Sequence, residues 1–213
     1  ALQLSGAGSP DRVIASLDRF IQGFAQPRVV LERLDRNPRD LEILVRLFAG
    51  SQFLTEILLR NPEYLDALES LNQVALPRSA PQYLQDARGS MQSCESYPAK
   101  LDAVRKYQRR ELLRIGTADL LGLLDLPAVT TQLSNLADGI VQACLELAAK
   151  QCGRPAEGFV VLGMGKLGGG ELNYSSDIDL MFLARGDASE YVRLGERLID
   201  AVSSITSEGF LYR

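Results

Sequence analysis

The 213-residue chain contains no histidine. Without an imidazole there is no Ser-His-Asp or Cys-His nucleophile, and most catalytic zinc sites lose a standard ligand. Cysteine is scarce as well. Cys94, Cys144 and Cys152 are an odd number with no C-x-x-C pair, which fits a reduced, cytoplasmic protein better than a disulfide scaffold. No apolar run approaches the roughly 20 residues of a membrane span, and Ala1 to Pro10 lacks a signal-peptide pattern, so no membrane partner is expected. Basic charge is not in excess. A net charge of −4 and a pI near 5.0 argue against nucleic acid as the bulk partner. What the chain does hold is apolar content, 46% of its residues, enough for one sizeable core or two modest ones.

The stretch Gly158 to Ala184 carries the chemistry. A short apolar run ends in glycines, a polar loop follows, and a second apolar run opens on an Asp-x-Asp pair. Phe159 to Leu162 predicts a buried strand and Asp177 to Leu183 predicts another. On a strand Asp177 and Asp179 share one face, with Cα atoms about 6.5 to 7 Å apart, while Ile178 and Leu180 point the other way into a core. Two such carboxylates repel each other unless a cation sits between them. A divalent metal that keeps oxygen ligands and is shared with substrate phosphates is the economical partner. Glycines upstream suit the phosphates, because residues without Cβ let backbone N–H groups turn toward an anion.

Two nucleotide motifs are spelled nearby and neither fits. Gly163-Met164-Gly165-Lys166-Leu167-Gly168 reads as G-x-G-x-x-G, but the dinucleotide fingerprint needs a crossover helix in a unit of roughly 30 residues. Here only Gly169 to Ser176 separates the glycines from the next apolar run. The phosphate-loop pattern fails because Leu167 follows Lys166 where Ser or Thr belongs. The plain alternative is a hairpin shaped by glycines, with Asp177 capping a turn and Asp179 solvated at an edge.

Gly165-Lys166, ten residues, then Asp177-Ile178-Asp179 resembles the polymerase-β-type nucleotidyltransferase motif. The longer string from Gly163 through Glu171-Leu172-Asn173 to Leu180 is more specific. It resembles the glutamine synthetase adenylyltransferase/adenylyl-removing enzyme family, and its Met164 and Glu171-Leu172-Asn173 are more similar to the adenylyl-removing half. Lys166 departs from the general superfamily, where Ser or Gly is usual, and agrees with this family. The resemblance implies an α+β fold: an N-terminal helical bundle, residues 1–156, then the first part of a polymerase-β-like nucleotidyltransferase domain, residues 157–213, a mixed sheet with helices. It implies Mg²⁺ held by Asp177 and Asp179 as catalytic and metal residues. Gly165, Lys166, Gly168 and Gly169 would meet the nucleotide phosphates, with Ser175 and Ser176 as hydroxyl donors. ATP, ADP or an AMP-bearing protein would be the substrate. Glutamine synthetase would be the target, with a PII signalling protein and glutamine as regulators. In the family a third carboxylate follows a segment like Glu208 to Arg213, and no acid remains here to fill it. The expectation is therefore a fragment of a longer enzyme. A helical docking module with a non-catalytic nucleotidyltransferase fold, and a nucleotidyltransferase with a small-molecule acceptor, are the alternatives.

The remaining chain reads as helices. Ser9-Pro10-Asp11 predicts a start, with Val13, Ile14, Leu17, Phe20, Ile21 and Phe24 on one face. Arg36-Asn37-Pro38 and Arg60-Asn61-Pro62 predict two more, capped by Asn, the second lined by Leu65, Leu68 and Leu71; Ser51 begins another between them. Weaker signals mark Gln82 to Met91. Lys100 to Ile115 predicts a strong helix whose second face carries Arg105, Lys106, Arg109, Arg110 and Arg114. That face reads as solvated, or as facing the cleft or a protein substrate. Pro127 to Cys152 predicts a long helix stopped by Gly153, with Arg154 to Glu157 as linker. After Ala184 a helix with Leu194, Leu198, Ile199, Val202 and Ile205 inward precedes an expected third strand at Phe210-Leu211-Tyr212.

Overall fold

The computed structural model describes residues 10–68, 74–153 and 155–213; Ser9, Leu71 and Arg154 lie outside them. The fold is mostly helical α+β, and it divides into two compact units. One comprises residues 1–76 and 112–126, the other 77–111 and 127–213, so residue 156 falls within the second unit.

The first unit contains α1 (Pro10–Gln22), α2 (Pro27–Arg36), α3 (Pro38–Gly50), α4 (Gln52–Arg60) and a 3₁₀ segment, Pro62–Leu68. All of these but α4 open on proline, whose fixed φ suits a first turn and whose missing N–H would have had no acceptor there. The expected Asn caps do not form. Asn37 instead donates its side-chain amide to Asp40, and Asn61 donates back to the Ile57 carbonyl. Ser51 does cap α4, accepting from the Leu54 N–H at 3.3 Å. Phe20 and Phe48, both buried, meet with ring centroids 6.2 Å apart between α1 and α3. Ile14, expected inward, is exposed. The last part of the 24-residue helix α6 (Tyr97–Leu120) also belongs to this unit. Gly116 and Gly50 admit it closely: a Cβ on Gly116 would lie 2.3 Å from Leu54, and one on Gly50 2.5 Å from Leu120.

The second unit holds α5 (Ala80–Ser90), the earlier part of α6, and α7 (Leu126–Cys152). Strands β1 (Phe159–Gly163) and β2 (Leu180–Ala184) and helix α8 (Val192–Ser203) complete it. Ser79 and Gln82 brace the start of α5, where the Gln82 side chain accepts from both the N–H and the hydroxyl of Ser79. β1 and β2 pair antiparallel, Phe159 opposite Ala184 and Gly163 opposite Leu180. Alternation puts Phe159 and Phe182 on the inner face, rings 5.3 Å apart, with Tyr191 stacked on Phe159 and α8 laid against them at Gly195. Val160, Leu162, Met181 and Leu183 occupy the other face and are exposed. Ile199 and Ile205, expected inward on α8, are exposed too.

Phe210-Leu211-Tyr212 does not form the expected third strand. Its N–H groups turn back instead: Leu211 and Tyr212 both donate to the Val202 carbonyl, at 3.1 and 3.0 Å. Nor is the basic face of α6 solvated throughout. Arg105 and Arg114 are buried, and each donates to main-chain carbonyls: Arg105 to Ala201 and Ser204, Arg114 to Val74 and Leu76. A guanidinium carries five donors in a fixed fork, so it can satisfy buried carbonyls that no backbone N–H reaches.

Candidate functional site

β1 runs into a single helical turn, Gly165–Gly168. Gly165 enters it at φ +54°, a left-handed conformation that side chains with a Cβ rarely adopt. Gly168 is fixed by space: a Cβ there would lie 2.4 Å from the Gly163 carbonyl oxygen, a backbone atom with nowhere to go. Leu167 points inward and is buried, whereas Lys166 is exposed beside it. Gly168→Ala is therefore expected to displace the turn at a cost of about 1–3 kcal/mol. Thermal melting together with loss of the upfield or downfield amide shifts of residues 163–170 would check it, and an unchanged turn would contradict the packing.

Leaving the turn, the chain is pinned at Leu172, whose buried N–H donates to the Ser134 hydroxyl of α7 at 3.1 Å. The polar loop is then organised by Asn173. Its side-chain oxygen accepts from the Ser175 N–H, the Ser175 hydroxyl and the Ser176 hydroxyl. Ser176 Oγ in turn accepts from the Asn173 N–H at 3.2 Å. Ser175 and Ser176 thus serve a local turn in this structure.

Asp177 to Asp179 precede β2 and are not part of its ladder, which starts at Leu180. Their burial alternates all the same. Asp177 and Asp179 are exposed while Ile178 between them is buried, so both carboxylates lie on the outward side. One main-chain bond holds the stretch on each side: Met164 N–H donates to the Asp179 carbonyl at 2.8 Å, and Ile178 N–H donates to the main-chain oxygen of Arg213 at 3.0 Å. The first of these brings Asp179 against the glycine turn, where its Oδ2 lies 3.6 Å from the position a Gly165 Cβ would take.

Of the sequence-predicted residues, the structure gathers Asp179, Gly165 and their neighbours at one end of the hairpin. It also assigns partners to some. The Gly168 and Gly169 N–H groups donate to the Met164 and Gly165 carbonyls, closing the turn. The donors left without an intrahelical acceptor are the earlier ones of the turn. Among the described residues no Lys or Arg forms an ion pair with either carboxylate, and no group of three or more His, Cys, Asp or Glu side chains could hold a metal. Two outward carboxylates with no internal counter-charge are hard oxygen donors with sites to spare. They fit a small divalent cation that completes its shell with water and substrate oxygens. Sequence reasoning did not anticipate Ser134 as the anchor of the loop. A lone serine inside a long apolar helix pattern carries no such signal.

Comparison with known proteins gives the chain a family. The family model described as glutamate-ammonia ligase adenylyltransferase matches residues 41–213. Among similar curated proteins are bifunctional glutamine synthetase adenylyltransferase/adenylyl-removing enzymes of Thioalkalivibrio sulfidiphilus, 30% identical over 98% of this chain, and of Pasteurella multocida, 34% identical over 85%. One from Vibrio parahaemolyticus is 32% identical over 85% of the chain. The chain spans only 24%, 21% and 22% of those three relatives' lengths. With the family model covering the whole of the second unit and more than half of the first, the chain belongs to the glutamate-ammonia ligase adenylyltransferase family.

Proposed function

We propose that this chain contributes the metal- and phosphate-binding corner of a nucleotidyltransferase that moves an AMP group at a tyrosine hydroxyl of glutamine synthetase. Within that reading it belongs to the adenylyl-removing direction, in which the group leaves by phosphorolysis. The observation that carries the reading is the pair of outward carboxylates beside the glycine turn. Asp177 and Asp179 would hold Mg²⁺, which when bound neutralises phosphoryl oxygens and aligns nucleophile with leaving group. Lys166, exposed on the turn, brings a cation toward the same phosphates, where the wider superfamily has a hydroxyl or nothing. Gly165, Gly168 and Gly169 keep that approach free of side chains. Ser175 and Ser176 would have to release Asn173 to donate to a nucleotide.

In the removing direction, an oxygen of inorganic phosphate attacks the phosphorus of tyrosyl-AMP. The bond from phosphorus to the tyrosine oxygen breaks, ADP departs, and the phenolate takes a proton to regenerate tyrosine. The Met164 and Glu171-Leu172-Asn173 variants of the motif support this direction, and the relatives' bifunctional names support a two-way enzyme. A cytoplasmic setting, with a PII protein and glutamine as regulators, accompanies the reading.

The test is a titration of this chain with Mn²⁺, alone and with ADP, followed by electron paramagnetic resonance. Wild type is expected to bind Mn²⁺·ADP, and Asp177→Asn to weaken that binding about tenfold or more. Absent binding in wild type, or equal binding by both proteins, would overturn the proposal.

A further inference from the structure

The stretch that carries the acidic pair is held from outside the hairpin by a segment that has no sheet of its own. After α8 the chain makes a tight turn, with Thr206 N–H donating to the Gly209 carbonyl and Gly209 N–H to the Thr206 carbonyl, at 3.0 and 2.9 Å. Residues 210–213 then run back past α8 to Ile178. Their carbonyls are met by α6. Gln108, itself buried, donates its side-chain amide to the Leu211 carbonyl at 2.8 Å. Arg109 donates to the Phe210 carbonyl at 3.2 Å, its guanidinium lying over Gly209, where a Cβ would come within 2.9 Å. Thr206 donates its hydroxyl to Asp102 at 2.8 Å, and Lys106 pairs with Glu208 at 3.5 Å.

We propose that Gln108 and Arg109 are positioning residues for the acidic pair: they fix the 210–213 segment, whose main-chain oxygen at Arg213 takes the Ile178 N–H between Asp177 and Asp179. The inference rests on the reading of Asp177 and Asp179 as metal ligands. The argument is one of counting constraints. Asp177 to Asp179 lie outside the β1–β2 ladder, and among the described residues a single main-chain bond on each side holds them. The bond on the Met164 side comes from the hairpin, so it survives any change in α6. The bond on the Arg213 side depends on a segment of which two N–H groups, those of Leu211 and Tyr212, go to one carbonyl, Val202. Without Gln108 the Leu211 carbonyl loses a buried donor, and nothing in a β ladder replaces it. The acidic pair then keeps one anchor of two, and its carboxylates sample directions that no longer converge on one cation.

The experiment compares wild type, Gln108→Met and Arg109→Gln in this chain by amide hydrogen exchange and by Mn²⁺ binding. Gln108→Met keeps the side-chain length and removes the donor. Ile178 is expected to exchange about tenfold faster in Gln108→Met, with Leu162 and Met181, a hydrogen-bonded pair of the hairpin, unchanged. Mn²⁺ affinity is expected to fall about tenfold. A general loss of stability would accelerate the hairpin amides equally, so equal acceleration overturns the proposal, as does an unchanged Ile178. Unaltered Mn²⁺ affinity alongside a faster Ile178 also overturns it. Should Gln108→Met not fold, Arg109→Gln at the half-buried end of the same contact decides by the same comparison. A wild type that binds no Mn²⁺ removes the metal reading, and the exchange of Ile178 still decides whether α6 holds the segment.

Discussion

Asparagine in place of Asp179 is expected to cut magnesium-dependent nucleotidyl transfer about a thousandfold or more while leaving the fold intact. A metal that stabilises developing phosphoryl charge is worth several kcal/mol, and each 1.36 kcal/mol is a factor of ten in rate. Asn keeps the shape of the side chain and one of its oxygens, so the loss reads out charge and coordination. The cost to folding should be small for a reason visible in the structure: Asp177 and Asp179 are exposed and, among the described residues, have no ion-pair partner. Surface changes of that kind stay within about 0.5 kcal/mol, and removing one of two neighbouring like charges relieves repulsion. Activity and stability should therefore separate. Initial rates with Mg²⁺ for an enzyme carrying this segment, beside thermal melting of the same variant, measure both. A near-normal rate would remove the pair from catalysis; a melting temperature that fell with the rate would make the defect one of folding.

The acidic pair and the glycine turn were legible because their signals are local. Alternating apolar residues, glycines and Asp-x-Asp within 27 residues specify a hairpin end whatever surrounds it. Its detail was less so. The strand was expected from Asp177 and starts at Leu180, because a ladder needs a partner opposite, and β1 ends at Gly163 where the turn takes over. The helices α6 and α7 were readable from their period, although α6 runs on through Gly116 to Leu120. Gly116 is a contact point, with Leu54 in the space of its side chain. What local pattern could not reveal was the direction of the basic face of α6. The carbonyls that receive Arg105, Gln108 and Arg109 lie about a hundred residues further along, the last two on a segment that itself looked like a strand. A charge run is read as solvated by default because most are, and only tertiary structure shows which carbonyls lack an N–H. For Ile199 and Ile205 the same limit acts in reverse: apolar period put them inward, and the narrow contact of α8 with the hairpin leaves them outside.

Of the inward basic residues, Arg105 should matter most to stability. Its side chain is 0% exposed, its Nη2 donates to the Ala201 and Ser204 carbonyls and to the Ser204 hydroxyl, and Asp102 is its ion-pair partner at 3.9 Å. Burial lowers its pKa and the Asp102 charge opposes the shift. Among the described residues Nε and Nη1 have no hydrogen-bond partner, so the charge is incompletely compensated. Two substitutions then give different answers. Arg105→Ala removes the donors and opens a cavity, and is expected to destabilise the second unit by about 3 kcal/mol or more. Arg105→Met keeps the volume and discards a costly buried charge, so it should lose only about 1 kcal/mol, since the Ser204 carbonyl lies at an exposed helix end and can turn to water. Cys144 supplies the measurement. Its thiol is buried and its pKa is pushed up to about 12 by that burial, with Arg105 working against the rise, so it reacts only when the unit opens. A loss of about 3 kcal/mol should speed alkylation of Cys144 about a hundredfold, read by mass spectrometry apart from the more accessible Cys94 and Cys152. The Met variant should change it less than tenfold. If both variants label alike, the guanidinium and not its bulk holds the helix end, and hydrogen bonding there outweighs desolvation.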